Sequence, residues 1–345
     1  MEKLDTRSCE EIMTTVYKPI EFVVDGLIAK GLYILAGAPK VGKSWLSLDI
    51  CLSIAKGEKV LEHETKCGTA LYLCLEDSFE RIQKRLYELT DEPTDNLHFA
   101  IMADTIGSGL ENQIEKFKSE HSDLKIVVID TLQKIRETTE NSYGSDYKEL
   151  SVLKVLADKL EIAIVLVHHT RKCSDSDPFN MISGSTGLSG CVDGSMVLVE
   201  TKRGSRKAKL HCVGRDIENA EINLHFDSDL KKWIATDEPT APKSKDNTFL
   251  AAVYLFIKVK IHFEGSATEL VEQLKFVSDE EFFANRVTRD LVQNGYEMSK
   301  YGIDFKHKRT HSGRIICLDY CTECDSSDSK NDSGVTVTKH IAQVL

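Results

Sequence analysis

The sequence predicts an α/β protein with a mostly parallel sheet, followed by a small C-terminal domain. Between residues 31 and 235, short apolar runs alternate with helix-length amphipathic stretches, and most of these runs are apolar on both faces. Strands of this kind lie in parallel sheets that helices cover on both sides. The predicted strands are 31–37, 70–76, 98–102, 125–130, 162–169 and 195–200, and the predicted helices are 43–56, 78–90, 110–121 and 146–161.

Beyond residue 200 the pattern changes to shorter segments. The runs at 208–213 and 221–227 alternate apolar and polar residues, which predicts an antiparallel extension of the same sheet. We therefore assign residues 1–237 to one domain. Residues 238–247, with two prolines and little apolar content, are the expected linker.

Residues 248–318 are predicted to form a second, smaller domain. An apolar helix comes first, then two helices that begin at Ser266 and Ser278, and then a short strand pair. Three helices followed by a hairpin are typical of a winged-helix domain. Residues 319–345 are polar, and we expect them to be disordered.

Composition excludes several classes of protein. The 345 residues carry a net charge of −11, which argues against a surface coated for DNA binding but leaves a local basic stripe open. No run approaches the roughly 18 continuous apolar residues of a membrane span, and the acidic N-terminus is unlike a signal peptide. We expect no membrane partner and a cytoplasmic location.

Ten cysteines are too dilute for a disulfide framework, and the Cys321–Cys324 pair lacks the further ligands of a structural zinc site.

The strongest motif is GAPKVGKS at residues 37–44, which matches GxxxxGK[ST] and lies between a predicted strand and a predicted helix. Its glycines permit a tight turn whose N–H groups bind phosphates, Lys43 would reach the β- and γ-phosphates, and the Ser44 hydroxyl would bind Mg²⁺. The sequence therefore predicts a nucleotide site, with ATP and Mg²⁺ as the expected cofactors. The expected binding residues are Gly37, Ala38, Pro39, Lys40, Val41, Gly42, Lys43, Ser44 and Trp45.

Charged side chains at the ends of three further strands would complete this site. Asp130 stands where a P-loop enzyme places its Mg²⁺-binding aspartate, although an Asp there could also cap a helix. Glu76 could act as the general base on an attacking water, or could face solvent. His168 and His169 end the third strand, and at least one is expected to sense the γ-phosphate; the alternative is a histidine buried in the core. Adjacent strand residues point to opposite faces, which disfavours a shared metal ion.

Positive charge gathers in a few segments. Residues 202–215 contain six basic residues and no acidic one. Such a segment is either a solvent-exposed face or a surface that binds an anionic partner. Arg215 follows a strand, between Gly214 and Asp216. From there it could reach the γ-phosphate of a neighbouring subunit as an arginine finger, with Lys209 acting alongside it.

Two long polar segments, 133–147 and 171–187, are predicted to be loops, and loops of this length are usually functional or disordered. We expect their basic residues to contact DNA phosphates without reading the base sequence. These residues are Lys134, Arg136, Arg171 and Lys172. Residues 286–316 carry an excess of four positive charges, which suits a DNA-binding wing or, alternatively, a protein contact.

Together these motifs resemble the RepA-like branch of the RecA/DnaB-type ATPases, the hexameric replicative helicases of plasmids, phages and related elements. The resemblance covers about residues 20–235. The segments that carry it are LAGAPKVGKSWLSLDI, LYLCLEDSFERIQKRL, VVIDTLQKI, IVLVHHTRK and GSTGLSGCVDGSMVL. More weakly, GSATELVEQL and KRTHSGRIICL are similar to the C-terminal winged helix of phage and element helicases.

The resemblance implies a RecA-like P-loop core in a homo-oligomeric ring, usually of six subunits, with ATP between subunits and single-stranded DNA in the central channel. A replication initiator or primase is a further expected partner. Only about 30 residues precede the P-loop strand, so we do not expect an N-terminal domain that recruits primase. The implied roles are phosphate lysine for Lys43, catalytic glutamate for Glu76, Mg²⁺ aspartate for Asp130, sensor for His168 and His169, and trans-acting arginine for Arg215.

Three functions remain open from the sequence. The first is an ATP-driven motor on single-stranded DNA, a helicase for the replication of a mobile element or phage. The second is a recombinase-like or regulatory ATPase that binds DNA without unwinding it. The third, a small-molecule kinase, would need an acceptor site that the basic 202–215 segment does not offer.

Overall fold

A computed structural model of the chain describes residues 6–136, 143–171, 175–182, 186–202, 204–236, 247–278, 280–310 and 313–321. The chain divides into two compact units. The larger is Ile20–Ala241, and the smaller combines Met1–Pro19 with Pro242–Leu345.

The helices and strands follow the chain in alternation. The helices are α1 (Cys9–Thr14), α2 (Lys43–Lys56), α3 (Phe79–Leu89), α4 (Leu110–Glu120), α5 (Tyr143–Leu160), α6 (Thr186–Cys191), α7 (Thr248–Lys260), α8 (Ala267–Leu274) and α9 (Ala284–Lys300). The strands are β1 (Phe22–Val24), β2 (Ile28–Ala29), β3 (Gly31–Gly37), β4 (Thr69–Cys74), β5 (Leu97–Ala100), β6 (Leu124–Asp130), β7 (Ala163–His169), β8 (Gly194–Glu200), β9 (Lys207–Gly214), β10 (Ala220–Asp227), β11 (Lys232–Ala235), β12 (His262–Gly265), β13 (Ile303–Thr310) and β14 (Gly313–Tyr320).

Nine strands of the larger unit form one sheet, in the order β11-β10-β9-β8-β3-β7-β6-β4-β5. The six strands from β8 to β5 pair in parallel, and β9, β10 and β11 extend the sheet antiparallel. Every residue of β3 is buried, as expected for a central strand covered on both faces. The predicted α/β class, its parallel sheet and its antiparallel extension are confirmed.

The two faces of the sheet bury separate apolar cores. Tyr33 and Leu35 of β3 pack on the face covered by α2, whereas Leu32 and Ile34 pack on the face covered by α5. The alternation follows from the two-residue repeat of a strand. The same alternation holds for β7, where odd-numbered residues face α2 and even-numbered residues face α5. It therefore determines which face the side chain at the end of each strand occupies.

The predicted loops are shorter than the sequence suggested. Short 3₁₀ helices at Leu132–Lys134 and Pro178–Met181 occupy the start of one segment and the middle of the other. Helix α5 already begins at Tyr143, and α6 begins at Thr186. Residues 137–142, 172–174 and 183–185 of these segments lie outside the described residues.

The smaller unit has the element order α7-β12-α8-α9-β13-β14, with its three strands arranged β12-β14-β13. Its core includes Phe249, Val253, Leu270, Leu291 and Leu318. The three expected helices and the expected strand pair are present. The short strand β12 is additional, and α9 begins at Ala284 rather than at the predicted start, residue 278. Residues 238–246 of the expected linker and 322–345 of the expected tail lie outside the described residues.

The structure groups the N-terminal residues with this smaller unit, although the sequence placed them with residues 20–237. The reason is a close approach between Val16, just beyond α1, and Gly295 of α9. A Cβ atom at position 295 would lie 2.6 Å from Val16 Cγ2, so glycine is what permits the contact.

No helix among the residues described is both long enough and apolar enough to cross a lipid bilayer.

Candidate nucleotide site

The GAPKVGKS loop connects β3 to α2 at the carboxyl edge of the parallel strands. Gly42 immediately precedes the helix with φ of 100°, a left-handed conformation that glycine adopts without strain. Gly42, at the N-cap, has no side chain that could cap the amides of the first helical turn. Ala38, Pro39 and Lys40 are exposed, whereas Val41 is buried and anchors the loop. This arrangement leaves backbone N–H groups directed at the position of an anion.

Lys43 lies under the loop with only 6% of its surface exposed. Its ammonium donates hydrogen bonds to the carbonyl oxygens of Gly37 at 2.8 Å and Ala38 at 3.0 Å. Burial lowers the pKa of Lys43 to about 8, against the opposing attraction of the Asp130 and Glu76 carboxylates. A phosphate bound at the loop would therefore interact with an ammonium group that is poorly hydrated and already held in place by the loop carbonyls.

Ser44 and Asp130 meet beside the loop. The Ser44 hydroxyl donates to Asp130 Oδ2 at 2.6 Å, and the buried Tyr72 hydroxyl donates to the same oxygen at 2.9 Å. Strands β4 and β6 pair so that Cys74 is the partner of Asp130, which places both side chains at the same edge. A hydroxyl and a carboxylate are the oxygen ligands that Mg²⁺ prefers, so these residues fit that ion.

Glu76 follows β4 by two residues and is exposed at this edge. The next residue, Asp77, is fixed by Arg85 of α3, whose guanidinium nitrogen lies 2.5 Å from Asp77 Oδ2. The guanidinium of Arg85 also lies 5.8 Å from the centre of the Trp45 ring, on the first turn of α2. The turn that carries Glu76 is therefore tied to the helix that carries the phosphate lysine.

The structure brings only one of the two predicted histidines to the loop. His169 Nδ1 lies 3.4 Å from Lys43 Nζ, and burial together with the charge of Lys43 lowers the pKa of His169. His168 points to the other face of the sheet and is 6% exposed. Of the two histidines, it is therefore His169 that lies beside the phosphate lysine.

Arg215 lies at the opposite edge of the sheet from the loop. The strand register aligns Gly214 with Gly194 and Gly194 with Tyr33, about four residues or 13 Å before Gly37. The Arg215 side chain is 60% exposed, with one guanidinium nitrogen 3.4 Å from Asp193 Oδ1. Arg215 therefore cannot serve the loop of its own subunit, and a role in hydrolysis requires a neighbouring one.

The expectation that Lys209 acts beside Arg215 is wrong. Lys209 pairs with Val199 near the carboxyl edge, about 20 Å along β9 from Arg215. Its ammonium forms an ion pair with Glu221 at 2.5 Å.

The expected DNA contact of Arg136 is also contradicted. Its side chain is 3% exposed and binds two carboxylates of α5, Asp146 at 2.6 Å and Glu149 at 2.7 Å. Because the guanidinium is buried between two carboxylates, Arg136 stabilises the fold and is not available to bind DNA. Lys134 and Arg171 are exposed, whereas Lys172 lies outside the described residues.

Sequence reasoning missed Trp233 of β11, which supports the loop directly. The indole N–H donates to the Gly42 carbonyl at 3.2 Å, and a Cβ atom at position 42 would lie 2.9 Å from that nitrogen. The neighbouring Lys232 forms an ion pair at 2.9 Å with Asp49, a buried carboxylate of α2. Strand β11 thus holds the phosphate loop and its helix, and 191 residues separate Trp233 from Gly42 in the chain.

A comparison with known protein families agrees with this geometry. A family model described as an AAA domain matches residues 5–175, about half of the chain, and this match includes β3, the loop, β4, β6 and β7. This segment is therefore similar to AAA domains. The match supports the resemblance to ATPases inferred from the motifs, at the level of a nucleotide hydrolase.

Among solved structures, the chain is similar to that of a DnaB-like replicative helicase studied with its interactions with primase. The identity is 13% and the TM-score is 0.49. The match covers 59% of this chain and 58% of that chain, less than two thirds of the helicase's length.

Proposed function

We propose that this protein is an ATP-hydrolysing motor on single-stranded DNA, a DNA helicase in the replication of a mobile element or phage. The observation that carries the proposal is the convergence of Lys43, the Ser44–Asp130 pair and Glu76 at one edge of the sheet. These residues supply phosphate binding, a Mg²⁺ position and a base at a single place.

Each residue has a role that follows from its position. Lys43 and the amides before α2 bind the β- and γ-phosphates of ATP. Ser44 and Asp130 would hold Mg²⁺, which when bound neutralises charge on the phosphate oxygens. Glu76 accepts a proton from the attacking water. His169, beside Lys43, is placed to detect whether the γ-phosphate is present.

The link to DNA comes from the same edge. The segments after β6 and β7 leave the sheet where the phosphate site lies, and they carry the exposed Lys134 and Arg171. Loss of the γ-phosphate would therefore change the contacts at the residues where both segments begin. Cations there would hold DNA phosphates without base preference, as a translocating motor requires.

The position of Arg215 supports a shared site in a homo-oligomer, with a hexameric ring as the form we propose. Asp193 anchors Arg215 from within the same subunit and is itself fixed, because its carboxylate accepts from the Leu32 amide at 2.9 Å and pairs with Lys154 at 3.0 Å. An exposed arginine on a rigid base is suited to stabilise the γ-phosphate of the adjacent subunit. A replication initiator or primase remains a proposed further partner.

The second candidate is a recombinase-like or regulatory ATPase that binds DNA and does not unwind it. The observation that favours it is the smaller unit, whose order of helix, strand, two helices and two strands supports the proposed winged helix. Such a domain can bind duplex DNA without contributing to a motor.

Strand separation distinguishes the two candidates. The full chain is mixed with a labelled forked duplex, ATP and Mg²⁺, and release of the labelled strand is followed over time. We expect ATP-dependent release, and none with Lys43→Ala. Binding of the fork without release, under conditions where ATP is hydrolysed, would favour the second candidate.

The roles of Lys43 and Glu76 are separable by substitution. Lys43→Ala should abolish hydrolysis because the phosphates lose their buried cation. Glu76→Gln should retain ATP binding and stop turnover, because an amide cannot accept the proton. Equal loss of nucleotide binding in both variants would contradict the assignment of Glu76 as the base.

A further inference from the structure

A second cluster of ligand-type side chains lies in the smaller unit, away from the phosphate loop in the sequence. His262 of β12 is the Cα partner of Asp319 of β14, and Cys317 precedes Asp319 by two residues. Residues two apart on a strand project from the same face of a sheet. The intervening Phe263 and Leu318 belong to the buried core, so His262, Cys317 and Asp319 share the opposite, solvent-facing side.

The ligand atoms of these three residues are already close. His262 Nδ1 lies 2.6 Å from Asp319 Oδ1, and Cys317 Sγ lies 3.6 Å from Asp319 Oδ2. One nitrogen, one sulfur and one oxygen atom all fall within 4.8 Å of one another. Zinc bonds of about 2.0–2.3 Å in a tetrahedral site require ligand separations of about 3.3–3.8 Å, so small side-chain rotations suffice.

The chemistry of the set selects a class of metal. Mg²⁺ and Ca²⁺ prefer oxygen ligands alone, whereas thiolate with imidazole and carboxylate is a zinc-type combination. We propose that His262, Cys317 and Asp319 form a binding site for one divalent metal ion of the zinc class. The site is separate from the Ser44–Asp130 pair, whose ligands are oxygens.

The surroundings of the cluster suit a cation. Glu264 is the Cα partner of Cys317 on β12 and places a further carboxylate on the same face. Lys306 is the partner of Cys317 on β13, but its ammonium is paired with Asp304 at 2.6 Å. The sheet thus presents an additional acid beside the three ligands and neutralises the nearby lysine. Three ligands from the chain leave the fourth position to Glu264 or to water.

Cobalt(II) is a suitable probe because it replaces zinc and absorbs in the near ultraviolet only when a thiolate binds it. The full chain is treated with chelator, transferred to buffer without nucleotide or Mg²⁺, and titrated with Co²⁺. We expect a thiolate-to-cobalt band that saturates at one equivalent and disappears when Zn²⁺ is added. Metal binding should also raise the unfolding temperature, because it stabilises the folded state.

Three variants assign the ligands. Cys317→Ser should abolish the band, and His262→Ala and Asp319→Asn should each weaken Co²⁺ binding by about tenfold or more. Cys321→Ser is the matched control, because Cys321 is exposed on the same chain segment and lies outside the cluster; it should leave the band intact. His262 and Asp319 lie at the surface, so their substitution should leave the fold intact. The unfolding temperature of each variant in chelator is measured to check this.

Two results would overturn the proposal. The first is a wild-type chain that shows no thiolate band, which would make the cluster a hydrogen-bonded ion pair only. The second is a band that Cys321→Ser removes and Cys317→Ser keeps. Neither result depends on ATP hydrolysis, so the site is tested independently of the motor.

Discussion

Burial of Lys43 gives the phosphate site its sensitivity to pH. The side chain is withdrawn from water and rests on two backbone carbonyls, which compensate poorly for lost hydration. A lysine with an ordinary pKa of 10.5 therefore titrates at about 8 in this chain. A bound phosphate would restore the charged form, so protonation and nucleotide binding are linked.

Nucleotide affinity should accordingly fall at alkaline pH. The phosphates bind the ammonium form, and above pH 8 that form becomes rarer, so the dissociation constant should rise by about tenfold per pH unit. Fluorescence titration with a labelled ATP analogue, from about pH 7 to about pH 9.5, measures this. Lys43→Arg keeps its charge throughout the range and should remove the dependence. A flat wild-type profile would contradict the burial argument.

Residue roles were predictable from the sequence where the chemistry is local. Gly42, Lys43 and Ser44 are contiguous, so the motif alone specifies their geometry. Arg136 was misinterpreted because its partners lie on the helix ten and more residues later, and a basic residue in a polar segment looks like a surface contact. Only the fold shows that Asp146 and Glu149 enclose it.

At the scale of elements, strand β11 acts as a support for the phosphate loop. Trp233 contacts Gly42, and its ring packs on Phe226 at 5.2 Å, which in turn lies 6.3 Å from Trp45. The sheet edge is thus joined to the first turn of α2 by aromatic rings and one hydrogen bond.

Trp233→Phe isolates that hydrogen bond, because phenylalanine keeps an aromatic ring and loses only the donor. We expect weaker nucleotide binding and a loss of about 1 kcal/mol in the free energy of unfolding. Isothermal titration with an ATP analogue and urea unfolding measure the two effects. Phe226→Leu keeps the indole donor and removes only the ring contacts, so it measures the part of the support that comes from packing. Unchanged nucleotide affinity in Trp233→Phe would show that the indole hydrogen bond does not support the phosphate loop.

The segment that follows β6 carries one structural cation, Arg136, and one cation proposed to bind DNA, Lys134. Arg136→Met removes the guanidinium from two enclosed carboxylates and should cost about 3–5 kcal/mol of stability. Lys134→Ala, on the exposed side, should leave stability within about 0.5 kcal/mol and weaken binding of single-stranded DNA. Thermal unfolding and fluorescence anisotropy with a labelled oligonucleotide test the pair. Normal DNA affinity in Lys134→Ala would exclude this segment from the DNA path.

Long elements were predictable, and short or distant ones were not. The continuous apolar runs predicted the parallel strands β3 to β8, and the alternation of apolar and polar residues predicted β9 and β10. Strands β11 and β12 have four residues each, too few for a periodic pattern. The attachment of α1 to the smaller unit depends on a contact between Val16 and Gly295, which no local pattern encodes.

At the scale of the whole molecule, the arginine-finger role proposed for Arg215 requires a neighbouring subunit, because Arg215 and the phosphate loop lie at opposite edges of the sheet. A chain that needs a neighbour's arginine should hydrolyse ATP only when assembled. Arginine fingers contribute about 10³–10⁵-fold in rate, so the effect is large enough to be tested with mixed subunits.

Mixing two inactive variants tests this arrangement. Arg215→Ala subunits retain Glu76, and Glu76→Gln subunits retain Arg215, so a mixed assembly contains some complete sites. We expect each variant alone to be nearly inactive and the mixture to recover hydrolysis. A mixture of Lys43→Ala with Glu76→Gln is the control, because every site then lacks one residue. Failure of the first mixture to exceed this control would contradict the trans role of Arg215.

The uneven charge of the molecule agrees with a motor that encloses its substrate. The net charge of −11 is spread over the chain, while the cations gather at 202–215, at 286–316 and after β6 and β7. An acidic average therefore does not exclude nucleic acid, because binding depends on where the positive charge lies.

The rate of ATP hydrolysis with and without single-stranded DNA tests the central claim most directly. The wild-type chain is assayed with Mg²⁺ and ATP while an oligonucleotide of mixed sequence is added in increasing amounts. The account predicts a rate that rises with DNA and saturates, and that Lys43→Ala and Lys134→Ala both reduce. A rate that DNA leaves unchanged at every concentration would contradict a motor that moves on single strands.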